Sequence, residues 1–132
     1  MRAEAFRCDA AGVEFRALIV DDNERFLEAA RSSLSREGIN VVGTAMTSAE
    51  AIQLAEDLSP NLILVDISLG TESGFELVRQ LVERFPELAP GVVLISTRAE
   101  DDFADMIATS PAVGFVSKSQ LSPKALRDLV AG

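Results

Sequence analysis

The sequence contains no histidine, and this absence excludes several kinds of chemistry. A chain without histidine has no Ser-His-Asp triad, no imidazole ligand for a metal ion and no histidine that could be phosphorylated. The single cysteine, Cys8, allows no disulfide within the chain. The N-terminal residues also lack the apolar segment of a signal peptide, so we expect a cytoplasmic location.

Basic residues are scarce, and long apolar runs are absent. Lys and Arg number 12 against 21 Asp and Glu, which gives a formal net charge of -9. Because phosphate contacts need Lys and Arg, we expect no direct binding of nucleic acid by this domain. The negative charge instead favours a metal cation or a basic partner surface. No apolar run reaches the roughly 18 residues of a membrane helix, so we expect no membrane segment.

What is present is an alternation of apolar runs with helical patterns from Arg16 onward. The 132 residues, 48% of them hydrophobic, suit one domain with a substantial core. Because the runs are apolar throughout, they predict a parallel sheet covered by helices on both faces. Residues 1–15 show no clear period and are interpreted as a tail. The five predicted strands are RALIVD (16–21), INVVGT (39–44), NLILVD (61–66), GVVLIS (91–96) and AVGFVS (112–117).

Five helices are predicted between and after these strands. Capping-box spacing at Thr47–Glu50 and Ser73–Glu76 marks two helix starts, and Ser122 with Pro123 marks the last one. Residues 100–109 predict a short fourth helix. Asn23 can cap the first helix, whose apolar face is formed by Phe26, Leu27, Ala30 and Leu34.

The residues at the strand ends carry the chemistry. The first strand ends in Asp21 and Asp22, the third in Asp66, the fourth in Ser96 and the fifth in Lys118. In an open α/β sheet the site lies at the carboxyl ends of the strands, so these side chains are expected at one edge. Each of them alone is an ordinary loop or surface residue. Together they are a specific set.

Three carboxylates without histidine favour a hard cation such as Mg²⁺. Asp21 and Asp22 can hold such an ion, while Asp66 can give it one oxygen and keep the other as a nucleophile. Lys118 and the hydroxyl of Ser96 would neutralise the oxygens of a transferred phosphoryl group.

At these residues the chain resembles the receiver domain of two-component response regulators, the CheY-like family. The resemblance lies in LIVDDN, LILVDISLGTESG, VVLIST and GFVSKSQL, and it covers about residues 16–131. It implies a receiver domain over residues 16–132. The implied fold is a doubly wound (βα)5, flavodoxin-like fold with five parallel strands in the order 2-1-3-4-5.

The resemblance also implies a role for each position. Asp66 would be the phosphoacceptor, and Asp21 and Asp22 would be the Mg²⁺ acids, with Asp22 as the direct ligand. The backbone carbonyl of Ser68 would complete the metal site.

Three further residues would act on the phosphoryl group. Ser96 would be the switch hydroxyl, Lys118 would pair with the phosphoryl oxygens, and the rotamer of Phe115 would follow phosphorylation. The donor would be a sensor histidine kinase or a histidine phosphotransfer protein. The face made by the fourth helix, fifth strand and fifth helix would contact a partner or form a homodimer. Such a domain is a signalling switch that catalyses only its own phosphorylation and dephosphorylation.

Three positions depart from the common pattern of the family. Leu69 and Gly70 stand where Met-Pro is frequent, and Gly70 should loosen that loop. Thr97 is bulkier than the usual small residue after the switch hydroxyl. These departures affect the expected rigidity of the loop and the expected lifetime of the phosphorylated state. They do not affect the three carboxylates.

Two other functions fit the sequence less well. A Mg²⁺-dependent phosphatase with an aspartyl-phosphate intermediate usually needs a second acid two residues after the nucleophile, where this chain has Ser68. A nucleotide-binding domain would need a glycine-rich loop after the first strand, and none is present. The sequence leaves open a single-domain regulator or the N-terminal part of a transcriptional regulator, and the start at Met1 favours the former.

Overall fold

Five parallel strands form one sheet whose carboxyl ends meet at a single edge. The computed structural model of the protein describes residues 15–97 and 103–131. The strands are β1 (Arg16–Val20), β2 (Asn40–Ala45), β3 (Leu62–Asp66), β4 (Val92–Ser96) and β5 (Gly114–Ser117). Their order is β2-β1-β3-β4-β5, and all neighbours pair in parallel. The predicted 2-1-3-4-5 order is therefore confirmed.

Five α-helices alternate with these strands and cover both faces of the sheet. They are α1 (Glu24–Arg36), α2 (Ser48–Leu58), α3 (Gly74–Arg84), α4 (Ala104–Thr109) and α5 (Pro123–Ala131). Leu18 and Val20 point into a core beneath α2 and α3, whereas Ala17 and Ile19 point into a second core beneath α1 and α5. Because both faces of β1 are buried from Ala17 onward, its sequence is apolar from Ala17 to Val20.

The two predicted capping boxes form, one of them only in part. The N–H of Glu50 donates to Oγ1 of Thr47 at 3.2 Å, and the Glu50 carboxylate reaches back to the N–H of Met46 at 2.8 Å. The N–H of Glu76 donates to Oγ of Ser73 at 3.4 Å. The carboxylate of Glu76 instead pairs along α3 with Arg79.

The strict alternation predicted from the sequence omits a short hairpin and two 3₁₀ segments that the described residues form. A two-residue hairpin pairs Ser68–Leu69 with Glu72–Ser73, and Gly70 in its turn has a φ of 64°. A two-residue hairpin turn favours glycine at its first central position, so Gly70 defines a turn there. Two 3₁₀ segments, Pro86–Gly91 and Lys118–Gln120, follow α3 and β5.

Two of the predicted segments lie wholly or partly outside the residues that the structure describes. This applies to residues 1–14 of the predicted tail and to the first part of the helix expected over residues 100–109, whose described part is α4. Phe15 is buried, and its carbonyl accepts from the N–H of Asn40 at 3.1 Å, so the folded part includes this residue of the predicted tail. Among the described residues, none of the helices has the length and hydropathy of a membrane span.

Candidate functional site

The ends of β1 and β3 bring three carboxylates together. Asp21 directly follows β1 and is completely buried, Asp22 is exposed, and Asp66 ends β3 with 8% of its surface accessible. One carboxylate oxygen from each of the three lies within 4.8 Å of the others. Val20 of β1 pairs with Val65 of β3 in the parallel register. The residues that follow them, Asp21 and Asp66, therefore lie side by side at the carboxyl edge of the sheet.

Lys118 brings a positive charge to these carboxylates from the end of β5. Its ammonium forms an ion pair with Oδ2 of Asp21 and lies 3.5 Å from Oδ2 of Asp66. The lysine side chain is only 12% exposed. Taking an ammonium out of water is costly unless it has partners, and here two carboxylates supply them.

The turn after β1 links the buried acid to the first helix. Oδ1 of Asp21 accepts from the N–H of Asn23 at 2.8 Å, and Oδ1 of Asn23 accepts from the N–H of Phe26 at 3.2 Å. Asn23 is therefore the predicted cap of α1 and also a partner of Asp21. The ring of Phe26 lies over the ammonium of Lys118, with Nζ 4.1 Å from the ring centroid.

Asp66 is positioned by the backbone that follows it. The N–H of Ser68 donates to Oδ1 of Asp66 at 3.3 Å. The N–H of Gly74 donates to the carbonyl of Ile67 at 2.8 Å, which draws the start of α3 against the loop. A Cβ atom on Gly74 would lie 2.0 Å from the backbone oxygen of Asp66. Gly74 is thus required for this close approach, and the sequence pattern gave no sign of it.

The predicted switch residues lie on β4, which neighbours β3, and on β5, the outer strand beyond it. Ser96 ends β4, is 5% exposed and pairs in register with Ser117, the residue before Lys118. Phe115 pairs with Leu94, two positions earlier along both strands. Phe115 is half-buried, its side chain packs against the core beneath α2 and α3, and the residue contributes to the lining of a groove of about 460 Å³ beside α5. Ser96 therefore lies at the edge that holds the carboxylates, and Phe115 lies on the body of the outer strand.

The electrostatic setting of Asp66 changes its acidity. Burial raises its pKa from the usual 3.8 to about 6, and the neighbouring carboxylate of Asp21 adds to the rise. The ammonium of Lys118 and the N–H of Ser68 lower the pKa and offset part of the increase. Without a bound cation, the native state therefore holds a proton on Asp66 at pH values where an unfolded chain has released it.

This shift predicts a pH dependence of metal-free stability. Between pH 4 and pH 6 the native state binds more protons at Asp66 than the unfolded state does, so its contribution to stability falls as the pH rises through this range. We expect Asp66→Asn to remove this pH-dependent contribution of residue 66 to the free energy of unfolding, which is on the order of 2 kcal/mol. Urea unfolding with a chelator present, followed by circular dichroism, measures both proteins across this range. A constant difference between wild type and variant at every pH would contradict the assignment.

The three carboxylates offer oxygen ligands to a cation. Oδ2 of Asp21 is buried, and within the described ranges no donor meets it with hydrogen-bond geometry, although the charge of Lys118 is close. Asp22 and Asp66 offer further oxygens at short range. The donor set is made of oxygen alone, as hard divalent cations prefer. The residues therefore fit such an ion.

A doubly wound five-stranded sheet with three carboxylates, a buried serine and a lysine at its carboxyl edge defines a receiver-type signalling domain. The chain belongs to the response regulator receiver domain family, whose model matches residues 17–131. It is thus a receiver domain of two-component signalling.

The similarity extends to curated relatives and to solved structures. The response regulator GacA of Pseudomonas aeruginosa is 28% identical over 89% of this chain and 56% of its own length. The chain spans about half the length of the curated relatives it matches first. The receiver domain of the NarL-like regulator from Mycobacterium tuberculosis is 26% identical, with a TM-score of 0.75 over 90% of this chain and 98% of that one.

A second similar structure contains a modified aspartate. It is a response regulator from Burkholderia pseudomallei with a phosphorylated aspartic acid, a calcium ion and citrate. It is 27% identical, with a TM-score of 0.75 over 88% of this chain and 66% of that chain. Receiver domains of response regulators take phosphoryl groups from sensor kinases, so family membership favours the switch over the phosphatase and nucleotide-binding alternatives. The roles assigned to single residues stay predictions.

Proposed function

We propose that this domain accepts a phosphoryl group on Asp66 from the phosphohistidine of a sensor histidine kinase or a histidine phosphotransfer protein. The observation that carries the proposal is the cluster at the carboxyl edge, where Asp66 lies beside two further carboxylates and the ammonium of Lys118. The phosphorylated aspartic acid and the calcium ion of the similar Burkholderia protein support it.

Asp66 is suited to act as the nucleophile. A carboxylate attacks phosphorus only when it is ionised, and a pKa of about 6 leaves most of Asp66 ionised at neutral pH. In the reaction, a carboxylate oxygen of Asp66 forms a bond to phosphorus while the bond from phosphorus to the donor imidazole nitrogen breaks. The electron pair of that bond stays on the imidazole, which leaves as a neutral group after gaining a proton.

Two residues stabilise the negative charge on the transferred group. Lys118 already lies within 3.5 Å of Asp66, so a small movement of its ammonium would pair it with a phosphoryl oxygen. Ser96 lies at the end of the adjacent strand and would donate its hydroxyl hydrogen to a second oxygen. A phosphorylated side chain carries about −1.5 to −2 charges at neutral pH, so both contacts strengthen after transfer.

The acidic residues would hold Mg²⁺. Asp21, Asp22 and Asp66 would supply carboxylate oxygens, and Ser68 would supply its backbone carbonyl. When bound, the ion neutralises charge on the phosphoryl oxygens during transfer. Because Asp21 is buried and bonded to Asn23, it keeps a fixed position, whereas exposed Asp22 can adjust to the ion.

The response would travel to the face formed by α4, β5 and α5. Ser96 would move toward the phosphoryl group and Phe115 would turn inward, which shifts the population between two states of this face. Met106 and Val113 expose 51% and 38% of their surfaces on its α4 and β5 side. These apolar groups support contact with a partner or a homodimer mate.

The proposal is tested by intact mass after incubation with acetyl phosphate, with Mg²⁺ or with a chelator. We expect the mass of one phosphoryl group to be added only when the metal is present. Equal labelling with and without the metal would contradict the proposed role of Mg²⁺. The absence of labelling with any phosphodonor would contradict the proposed function.

Asp22→Asn is expected to weaken Mg²⁺ binding by at least about tenfold and to slow phosphorylation accordingly. The side chain is exposed, so its neutralisation should leave the fold intact and should relieve repulsion among the carboxylates. Calorimetric titration with Mg²⁺ measures the binding, and urea unfolding measures metal-free stability. Asp57→Asn is the matched control, since Asp57 is an exposed α2 residue bonded to Gln53. Equal Mg²⁺ affinity in both variants would contradict the assignment of Asp22.

A further inference from the structure

Phe26 lies against the lysine of the site described above, and the role that we infer for it rests on the proposed function. In sequence terms this residue belongs to the apolar face of α1, together with Leu27, Ala30 and Leu34. The three others are buried, whereas Phe26 is only partly buried and lies at the margin of the core beneath α1 and α5. Its ring therefore also contacts a residue outside this core, Lys118 at the carboxyl edge of the sheet.

The contact between Phe26 and Lys118 has the geometry of a cation–π interaction. The lysine Nζ lies 4.1 Å from the ring centroid, within the roughly 6 Å over which such attraction acts. The same ammonium contacts Asp21 and Asp66 through their Oδ2 atoms. The lysine is thus held by two carboxylates and one aromatic face.

The position of the ring is fixed by the same turn that fixes Asp21. The N–H of Asn23 donates to Asp21, and the N–H of Phe26 donates to the Asn23 side chain, so these residues share one bonded turn. The first turn of α1 therefore presents a carboxylate and an aromatic ring to the same ammonium. A Lys side chain has many rotamers, and an ordered contact on a third side reduces the number that it can adopt.

We propose that Phe26 is a positioning residue for phosphoryl transfer, whose ring holds the ammonium of Lys118 where it can reach both Asp66 and the phosphoryl oxygens. The ring excludes water from one side of the ammonium, which strengthens the attraction between that charge and the incoming phosphoryl group. Phe26 makes no bond to the reacting atoms and acts only through Lys118.

The test is the rate of Asp66 phosphorylation by acetyl phosphate in the presence of Mg²⁺. Phe26→Leu keeps an apolar side chain on α1 and removes the aromatic face, and we expect the rate to fall by about tenfold, which corresponds to ~1.4 kcal/mol. Phe26→Tyr keeps the aromatic face and should retain a rate near that of the wild type. Phe85→Leu is the control, because Phe85 is a partly buried phenylalanine that packs in the other core.

A double-mutant cycle separates positioning from packing. In a Lys118→Ala background, Phe26→Leu should cause no further loss of rate, because the ring then has no ammonium to hold. An equal loss in both backgrounds, or a loss in the Phe26→Tyr protein as large as in Phe26→Leu, would overturn the inference. If the wild type is labelled at Asp66 and Phe26→Leu matches its rate, only this inference fails. If the wild type is not labelled, the proposed function fails first.

Discussion

Asp66→Asn is expected to lower phosphorylation by acetyl phosphate by at least about 100-fold. The amide keeps the size of the carboxylate and an oxygen that can accept from the N–H of Ser68, so the fold should be retained. The variant lacks only the anionic oxygen that attacks phosphorus. Intact mass spectrometry over a time course with Mg²⁺ gives the rates of the variant and the wild type.

The control for this variant is Asp57→Asn, which removes an exposed carboxylate on α2 that is bonded to Gln53. It should be labelled at the wild-type rate. Labelling of Asp66→Asn at the same rate as this control would show that another side chain is the acceptor. Circular dichroism of both variants verifies that the helices and the sheet are retained.

Gly74→Ala is expected to destabilise the protein by about 2–4 kcal/mol and to slow phosphorylation. A Cβ atom at this position would lie 2.0 Å from the backbone oxygen of Asp66 and 2.8 Å from the Cα of Ile67. These are backbone atoms beside the proposed phosphoacceptor, so relief of the clash must move α3 or the loop that carries Asp66. Urea unfolding measures the loss of stability, and acetyl phosphate labelling measures the loss of rate.

Gly43→Ala is the matched control for this substitution. A Cβ atom on Gly43 would first meet Cδ1 of Leu58 at 3.0 Å, the far end of a flexible side chain. Its cost should be about 1 kcal/mol or less, with little change in the labelling rate. If both alanine variants lose the same free energy of unfolding, the close approach of α3 to Asp66 does not explain the cost of Gly74→Ala.

The order of helices and strands could be predicted from the sequence because local signals and burial agreed. The runs that form β1, β3 and β4 are apolar at nearly every position, which is typical of strands buried on both faces. Side-chain caps at Asn23 and Thr47 mark helix starts in the structure as they do in the sequence. The hairpin around Gly70 was missed because two-residue strands carry no periodic signal.

The members of the candidate site could also be predicted, whereas some of their contacts could not. Asp21, Asp66 and Lys118 follow directly from the parallel register, since strand ends meet at one edge. The contact of Phe26 with Lys118 joins residues far apart in the chain, and the packing of Gly74 against Asp66 joins the first turn of α3 to the end of β3. No local sequence pattern predicts such contacts, because they depend on how the first turns of α1 and α3 pack against the sheet.

The most direct test of the central claim is to locate the phosphoryl group on the chain. An acyl phosphate on aspartate is reduced by borohydride to homoserine, so the acceptor is marked before digestion and peptide mass analysis. After incubation with acetyl phosphate and Mg²⁺, the account predicts homoserine at residue 66. Homoserine at position 21 or 22 instead, or at no aspartate of a protein that has gained the mass of a phosphoryl group, would contradict it.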